Sequence, residues 1–329
     1  MLAGAPGDLS PVPARRGCGI RLLYNPRMAR AVAVHNLRKT YGAVVAVADV
    51  SFHVDEGEIF GIIGPNGSGK TTTVECLQGL RTRSGGEVEV LGLDPGSHGT
   101  QLRRMIGSQL QESNLPDRIK VWEALDLFAY GSGAGADWRE LAERWGLTGK
   151  LNAVFASLSG GLQQRLFVAL ALVNAPRLVF LDEMTTGLDP SARRLAWELI
   201  AAVREHGATV VLVTHFMDEA EALCDRIAVF HRGRVVALDT PGGLVAVHGG
   251  ESRVIFSAAE GDFSWLGSVP CVDGVSRRGA RVEVGGRGAV LAHTAAALGA
   301  RGIYPADLHV ERSTLEDAFL KIVGAHGEQ

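Results

Sequence analysis

The segment GPNGSGKTT has the spacing of a phosphate-binding loop, and it lies between a strand-like run and a helical pattern. Its glycines let backbone N–H groups surround phosphate oxygens, and the helix N-terminus adds partial positive charge. Lys70 is expected to reach the β- and γ-phosphates, and Thr71 to hold Mg²⁺. A chance lysine in a glycine-rich turn is the weaker alternative, because the chain has only five lysines. The predicted loop residues are Gly64, Pro65, Asn66, Gly67, Ser68, Gly69, Lys70, Thr71 and Thr72.

Two adjacent carboxylates, Asp182 and Glu183, follow the apolar run in LVFLDEMTTGLDP, residues 178–190. That run predicts a buried strand that fixes both acids near the phosphate loop. An aspartate at such a strand end suits a Mg²⁺ ion, so we assign the metal to Asp182. Glu183 is then placed to orient or deprotonate a water molecule, as a general base would. A helix-capping or solvated acid is the alternative for Glu183.

Composition indicates a folded protein with one large domain and a smaller one, since 46% of its 329 residues are hydrophobic. Acids (36) slightly outnumber bases (33), which predicts no nucleic-acid partner and no polybasic anchor. The four cysteines show no CxxC spacing, so they favour a reducing, cytosolic location over a zinc site or a disulfide framework. The longest apolar stretch, 166–173, is shorter than the roughly 18 residues of a membrane span.

The order of strand and helix patterns predicts a doubly wound α/β domain over residues 31–247. Strand patterns are absent from about 112 to 165, where helical periodicity predicts an inserted helical subdomain. Residues 248–329 predict a small α+β accessory domain. Residues 1–30 are rich in Gly, Pro and Arg, which indicates a flexible extension or a start codon assigned too early.

The segment LSGGLQQRL, residues 158–166, lies upstream of the Asp-Glu strand. Together with the phosphate loop, it resembles the ATP-binding-cassette (ABC) ATPase family. Ser159, Gly160 and Gly161 match the family signature, which completes the ATP site of a partner subunit. Their place at the start of a helix also suits an anion. A simple helix cap is the alternative, and the fifth signature position, often Gln in the family, is Leu162.

The resemblance places further site residues. Tyr41 matches the aromatic that stacks on adenine, although a strand-edge tyrosine is the alternative. Gln111 matches the glutamine that contacts Mg²⁺, with Gln109 as its rival. Asp189 matches the acid of the loop that crosses to the partner, unless it merely caps the following helix. His215, after TVVLVTH's apolar run, matches the histidine that reaches the γ-phosphate.

The resemblance implies an ATPase that binds ATP and Mg²⁺ and closes as a head-to-tail homodimer. A separate transmembrane permease subunit would dock near Gln111, which implies a peripheral position on the cytoplasmic face of the membrane. STLEDAFLKIVG, residues 313–324, is similar to the end of ATPase subunits from daunorubicin-resistance-type drug exporters. This similarity favours export of a drug-like or lipophilic compound.

Two rival functions remain open at this stage. One is a soluble, non-transport ABC ATPase. The resemblance implies two linked cassettes or long coiled coils in such proteins, and this sequence shows neither. The other is a regulatory nucleotide-binding protein with weak hydrolysis, for which Leu162 and Met184 are the only hints. Met184 stands where the family usually has proline, and a proline would restrict the backbone of Glu183. We therefore expect Glu183 to be held less firmly, and Met184→Pro to raise turnover.

Overall fold

The computed structural model describes residues 29–109, 115–132, 137–311 and 313–327. Of the extension predicted over residues 1–30, residues 1–28 lie outside the described residues, as does Gln111, and Arg30 already begins the first strand. Within these ranges, no helix is both long enough and apolar enough to cross a bilayer.

The larger sheet contains nine strands of the described chain. They are β1 (Arg30–Tyr41), β2 (Val44–Asp55), β3 (Ile59–Ile63), β4 (Gly85–Val90), β5 (Ile106–Gln109), β6 (Leu178–Asp182), β7 (Thr209–Val213), β8 (Arg226–His231) and β9 (Arg234–Asp239). Their order across the sheet is β4-β1-β2-β9-β8-β3-β7-β6-β5. Neighbours from β8 to β5 run parallel, whereas β1 pairs antiparallel with both β2 and β4.

The central strands β3, β6 and β7 are buried along their whole length. Each is a continuous run of mostly branched apolar residues, as expected for parallel strands covered by helices on both faces. Because they run parallel, their carboxyl ends meet at one edge of the sheet. The α/β fold class predicted from the sequence is confirmed, and this edge is where its chemical groups converge.

Helices cover the sheet and form the segment between β5 and β6. Within 115–132 and 137–177 that segment contains helices and 3₁₀ turns but no strand. Asp189 caps the long helix after β6, with its carboxylate accepting from the amides of Ser191 and Ala192. The helices of this unit are α1 (Lys70–Leu77), α2 (Pro95–Leu102), α3 (Val121–Ser132), α4 (Trp138–Arg144), α5 (Gly160–Leu172), α6 (Pro190–Glu205), α7 (Met217–Leu223) and α8 (Pro241–His248).

A second sheet follows α8. Its strands are β10 (Ser252–Ser257), β11 (Val272–Arg278), β12 (Arg281–Gly286) and β13 (His309–Glu311), in the order β11-β12-β10-β13. Helix α9 (Val290–Ala300) packs on it around a separate apolar cluster. The last helix, α10 (Leu315–Gly327), instead places Leu315 and Ile322 in the core of the larger unit. The predicted boundary at 247/248 stays a prediction, since α10 packs back across it.

A buried polar cluster lies at the amino ends of β3 and β8. The carboxylate of Glu58 accepts the Asp55 amide at 2.7 Å and the Arg226 guanidinium at 3.1 Å. Burial nevertheless raises the pKa of Glu58 to about 7, with Asp55 and Asp225 adding to the rise. Burial lowers the pKa of the neighbouring His53. Protonation of Glu58 is therefore linked to folding near neutral pH.

Replacing Glu58 with Gln is expected to flatten the dependence of stability on pH. In the native chain Glu58 ionises near pH 7 but in the unfolded chain near 4.5, so its contribution falls as pH rises through that window. The full loss is at most about 3 kcal/mol. Urea unfolding at pH 5, 6 and 7 measures it, with exposed Glu89→Gln as the control. His53 titrates in all three proteins, so parallel curves for wild type and Glu58→Gln would contradict the assignment.

Candidate nucleotide-binding site

The phosphate loop connects the end of β3 to the start of α1, and its shape depends on glycine. Gly69, the N-cap of α1, has φ 97°, and a Cβ at this position would overlap the carbonyl oxygen of Ala46. A Cβ at Gly64 would overlap the carbonyl oxygen of Phe230. Any larger residue at either position would push the loop away from the neighbouring strands. The two glycines therefore fix the loop against the sheet.

Lys70 is buried beneath this loop. Its Nζ donates to the carbonyl oxygens of Gly64 at 2.8 Å and Pro65 at 3.1 Å. Burial lowers the pKa of the ammonium group, and the carboxylates of Glu183 and Asp182 oppose that shift. The loop carbonyls thus hold a positive charge next to two acids at the strand edge.

Asp182 ends β6 and is 3% exposed. Burial and the charge of Glu183 raise its pKa to about 6, while Lys70 and a hydrogen bond with Thr71 lower it. Its Oδ1 is buried with no hydrogen-bond donor. This orphaned carboxylate oxygen and the Thr71 hydroxyl are hard oxygen donors, so they fit Mg²⁺.

Other metal-binding groups in the described chain are sparse. Within the described ranges, no cluster of three or more His, Cys, Asp or Glu side chains is arranged to hold a metal ion. Gln109, the rival of Gln111, ends β5 in register with Leu181 and has a buried, unpartnered Oε1. Gln109 therefore lies on the strand beside β6, one register position before Asp182.

Glu183 and His215 are brought together by the neighbouring strands β6 and β7. The carboxylate Oε1 of Glu183 lies 3.5 Å from Nδ1 of His215. The Glu183 amide donates to the carbonyl of Val213 at 2.9 Å, which ties its backbone to the end of β7. Its side chain is 11% exposed, against 39% for His215. The pair therefore forms a partly open acid–imidazole contact at the sheet edge.

The expectation that Met184 leaves Glu183 loosely held stays a prediction, and the contacts of the folded chain argue against it. The Met184 side chain is buried in the core, and its carbonyl accepts from Nε2 of Gln164 at 2.5 Å. Glu183 itself has a left-handed backbone, with φ 48°. A proline at 184 favours extended conformations of the preceding residue and would not add to the contacts that fix this one. Gln164 also links the helix that begins at Gly160 to the Asp-Glu segment.

A cavity of about 880 Å³ opens above these groups. Two sets of residues line it beyond the predicted ones: Val44, Val45 and Ala46 at the start of β2, and Thr186, Met217 and Phe319. Neither set was predicted from the sequence, because five of the six residues are apolar and lie in no motif, and Thr186 carries no group that marks it apart from its neighbours in 178–190. The predicted residues in its lining are Gly64, Pro65, Asn66, Gly67, Gly69, Lys70, Thr71, Thr72, Glu183 and His215.

Several predicted residues lie outside this lining. Tyr41 ends β1, and its ring contacts the ammonium of Lys39 at 4.8 Å. Ser159 and Gly160 are exposed at the start of α5, where the Ser159 side chain makes no capping hydrogen bond. Asp189 does cap α6, as the alternative for it proposed. Leu162 packs against the core. One chain therefore assembles the phosphate side of the site without Ser159–Gly161.

Comparisons with known proteins agree with this geometry. A family model described as ABC transporter matches residues 47–186. Nod factor export ATP-binding protein I of Rhizobium etli is 40% identical over 222 residues, which cover 65% of this chain and 70% of that protein. The protein of the same name from Cupriavidus pinatubonensis is 40% identical over 225 residues, covering 67% and 69%.

Solved structures give the same result. The structure of an ATP-binding subunit of an ABC transporter superposes with a TM-score of 0.60 at 30% identity, covering 65% of this chain and 92% of that one. The dimeric structure of a bacterial ABC transporter cassette superposes with a TM-score of 0.57 at 30% identity, covering 64% and 98%.

Lys70→Ala is expected to weaken ATP binding by roughly 30-fold or more, because it removes a buried charge that would pair with phosphate. Equilibrium titration with a fluorescent ATP analogue measures the effect. Lys150→Ala, which changes an exposed lysine outside the cavity lining, is the matched control. Equal affinities for Lys70→Ala and wild type would contradict the placement of the phosphates.

Met184→Pro is expected to leave ATP turnover at or below the wild-type rate, since the Val213 and His215 contacts already fix Glu183. Steady-state phosphate release measures the rate, and circular dichroism checks that the variant is folded. Met184→Leu keeps the buried volume and serves as the control. A faster Met184→Pro enzyme would restore the original expectation that residue 184 limits turnover.

Proposed function

The chain belongs to the ABC transporter family of ATP-binding subunits, and from that premise we propose how its own residues bind and hydrolyse ATP to power transport. The observation that carries the proposal is the convergence of Lys70, the Asp182–Glu183 pair and His215 at the carboxyl edge of β3, β6 and β7. The loop amides and Lys70 bind the β- and γ-phosphates. Thr71 and Asp182 would hold Mg²⁺, which would neutralise charge on the phosphate oxygens.

Glu183 is the proposed general base of hydrolysis. Its carboxylate accepts a proton from the water that attacks the γ-phosphorus, and the bond to the β-phosphate oxygen breaks to give ADP and phosphate. His215 holds the γ-phosphate from its position 3.5 Å from the carboxylate. The Val213 carbonyl fixes the Glu183 backbone, so the carboxylate stays directed at the same edge.

The second half of each site comes from a second copy of this chain. Ser159, Gly160 and Gly161 lie outside the cavity of their own chain and present a helix N-terminus without a side-chain cap. Such an end binds an anion, so it suits the γ-phosphate held by a partner's loop. A relative of known structure is described as dimeric. We therefore propose a head-to-tail homodimer with two ATP molecules, in which Asp189 lies on the loop that crosses to the partner.

A transmembrane permease subunit is the proposed partner for transport. Helix α3 exposes Leu127, Phe128 and Tyr130, an apolar surface of the helical segment that follows Gln111 in the chain. Docking there would place the chain on the cytoplasmic face of the membrane. The relatives named Nod factor export ATP-binding protein I support export. The resemblance of residues 313–324 to daunorubicin-resistance-type subunits supports a drug-like or lipophilic substrate.

No structural observation favours the soluble, non-transport ABC ATPase or the regulatory nucleotide-binding protein. The regulatory reading rested on Leu162 and Met184, and both pack against the core. That packing gives these residues a structural role that does not require lost hydrolysis. The transporter subunit therefore remains the one function that we propose.

Glu183→Gln is expected to lower ATP turnover roughly 10²- to 10⁴-fold while ATP still binds, because the amide accepts no proton from water. The ATP-bound dimer then persists, and gel filtration with light scattering in saturating ATP and Mg²⁺ detects it. Glu198→Gln, on the exposed face of α6, is the matched control and stays active. A Glu183→Gln protein that binds ATP but remains monomeric would contradict the dimer mechanism.

A further inference from the structure

The final helix, α10, belongs to the nucleotide-binding unit by packing, although it follows the second sheet in sequence. Leu315 and Ile322 are buried in the core of the larger sheet, in the same cluster as Leu244 of α8. The second sheet has a separate apolar cluster made of residues between 254 and 298. The chain therefore leaves the first unit after α8, forms the second sheet and returns through α10.

Phe319 is the residue of α10 that reaches the nucleotide cavity. Its partly buried ring lines the cavity together with Met217 and His215. The next residue, Leu320, is 61% exposed and lies outside that lining. The helix thus presents one aromatic ring to the cavity and a second large apolar side chain to solvent.

The other end of α10 is linked to the phosphate loop indirectly, through the turn between β8 and β9. Nη1 of Arg232 donates to the carbonyl of His326 at 3.4 Å. The adjacent Gly233 donates its amide to the carbonyl of Ser68, inside the loop, at 2.9 Å. Movement of α10 would therefore affect the site at two places: the cavity wall and the turn that supports the loop.

We propose that Phe319 is a nucleotide-contacting residue supplied by the C-terminal helix, so that ATP binding and docking of α10 stabilise each other. The inference rests on the proposed ATP binding. A nucleotide in the cavity gains contact with the ring only when α10 is docked, and the ring excludes water from the side of the cavity that holds His215. Linkage requires the effect to be reciprocal, so a bound nucleotide must hold α10 more firmly.

Two hydrogen bonds hold α10 against the segments of chain that lead into and out of the second sheet. Lys321 of α10 donates to the carbonyl of Gly249 at 2.9 Å, where the chain leaves α8. The Ser313 hydroxyl, just before α10, donates to the carbonyl of Glu251 at 3.2 Å. The entry to and exit from the second sheet are thus held together beside α10.

The first experiment measures ATP affinity with a fluorescent ATP analogue. Phe319→Ala is expected to weaken binding about 5-fold, the low end of typical coupling between sites. Leu320→Ala, which removes a similar apolar volume from the same helix outside the cavity, should bind as wild type does. Phe319→Leu tests the ring in a variant that keeps the helix packed, and melting temperatures show whether each variant is folded. Unchanged affinity in folded Phe319→Ala and Phe319→Leu would overturn the contact.

The second experiment measures hydrogen–deuterium exchange of α10 with and without ATP and Mg²⁺. It uses the variant Ser159→Arg. Because Ser159 is exposed, the larger side chain blocks the proposed dimer but leaves the chain's own phosphate loop intact. Exchange of residues 315–327 should slow about 5-fold on nucleotide binding, and that of α9 should stay unchanged. Unaltered α10 exchange in a chain that binds the analogue would overturn the proposal. Failure of the wild-type chain to bind it would instead refute the proposed function.

Discussion

The site depends on balancing one buried ammonium against two adjacent carboxylates. Lys70 and Asp182 are both nearly excluded from water, and each shifts the pKa of the other toward its charged form. Burying either charge alone would cost several kcal/mol, so the loop and the strand end stabilise each other. The lysine ammonium also donates hydrogen bonds to two loop carbonyls. In the proposed ATP complex, phosphate oxygens replace these carbonyl partners, and the loop has already fixed the position of the ammonium.

The parallel sheet makes this balance possible. Five-residue strands buried on both faces bring Ile63, Asp182 and Val213 to one edge, so groups distant in sequence share one cavity. The sequence predicted these strands because continuous apolar runs bounded by polar residues are strong signals. It did not predict β2, β4, β5 or β9. Strand β5 has only four residues, and the other three mix buried and exposed positions in antiparallel pairs or beside bulges. The strands that carry the site residues were thus easier to predict than the strands in the rest of the sheet.

The same contrast holds within the site. Lys70, Asp182 and Glu183 were predictable because their types and spacing carry the chemistry, whereas His215 was assigned only through the resemblance to ABC ATPases. Phe319 and Val44 line the same cavity, but an aromatic in an amphipathic helix and a valine in a strand look like ordinary core residues. For Met184, the sequence context indicated a loosened neighbour, and this stays a prediction. The folded chain adds contacts that a sequence does not display, from Gln164 to Met184 and from Glu183 to Val213.

The return of α10 to the first unit also affects how the chain could change in evolution. Because α8 and α10 pack together, the second sheet is joined to the rest at two neighbouring points, as an inserted domain would be. Segments attached in this way tolerate enlargement or replacement, since their ends stay close together whatever lies between them. Phe319 of α10 could therefore keep its place in the cavity lining while residues 252–311 diversified. A deletion of the chain's final residues, in contrast, would open the cavity directly.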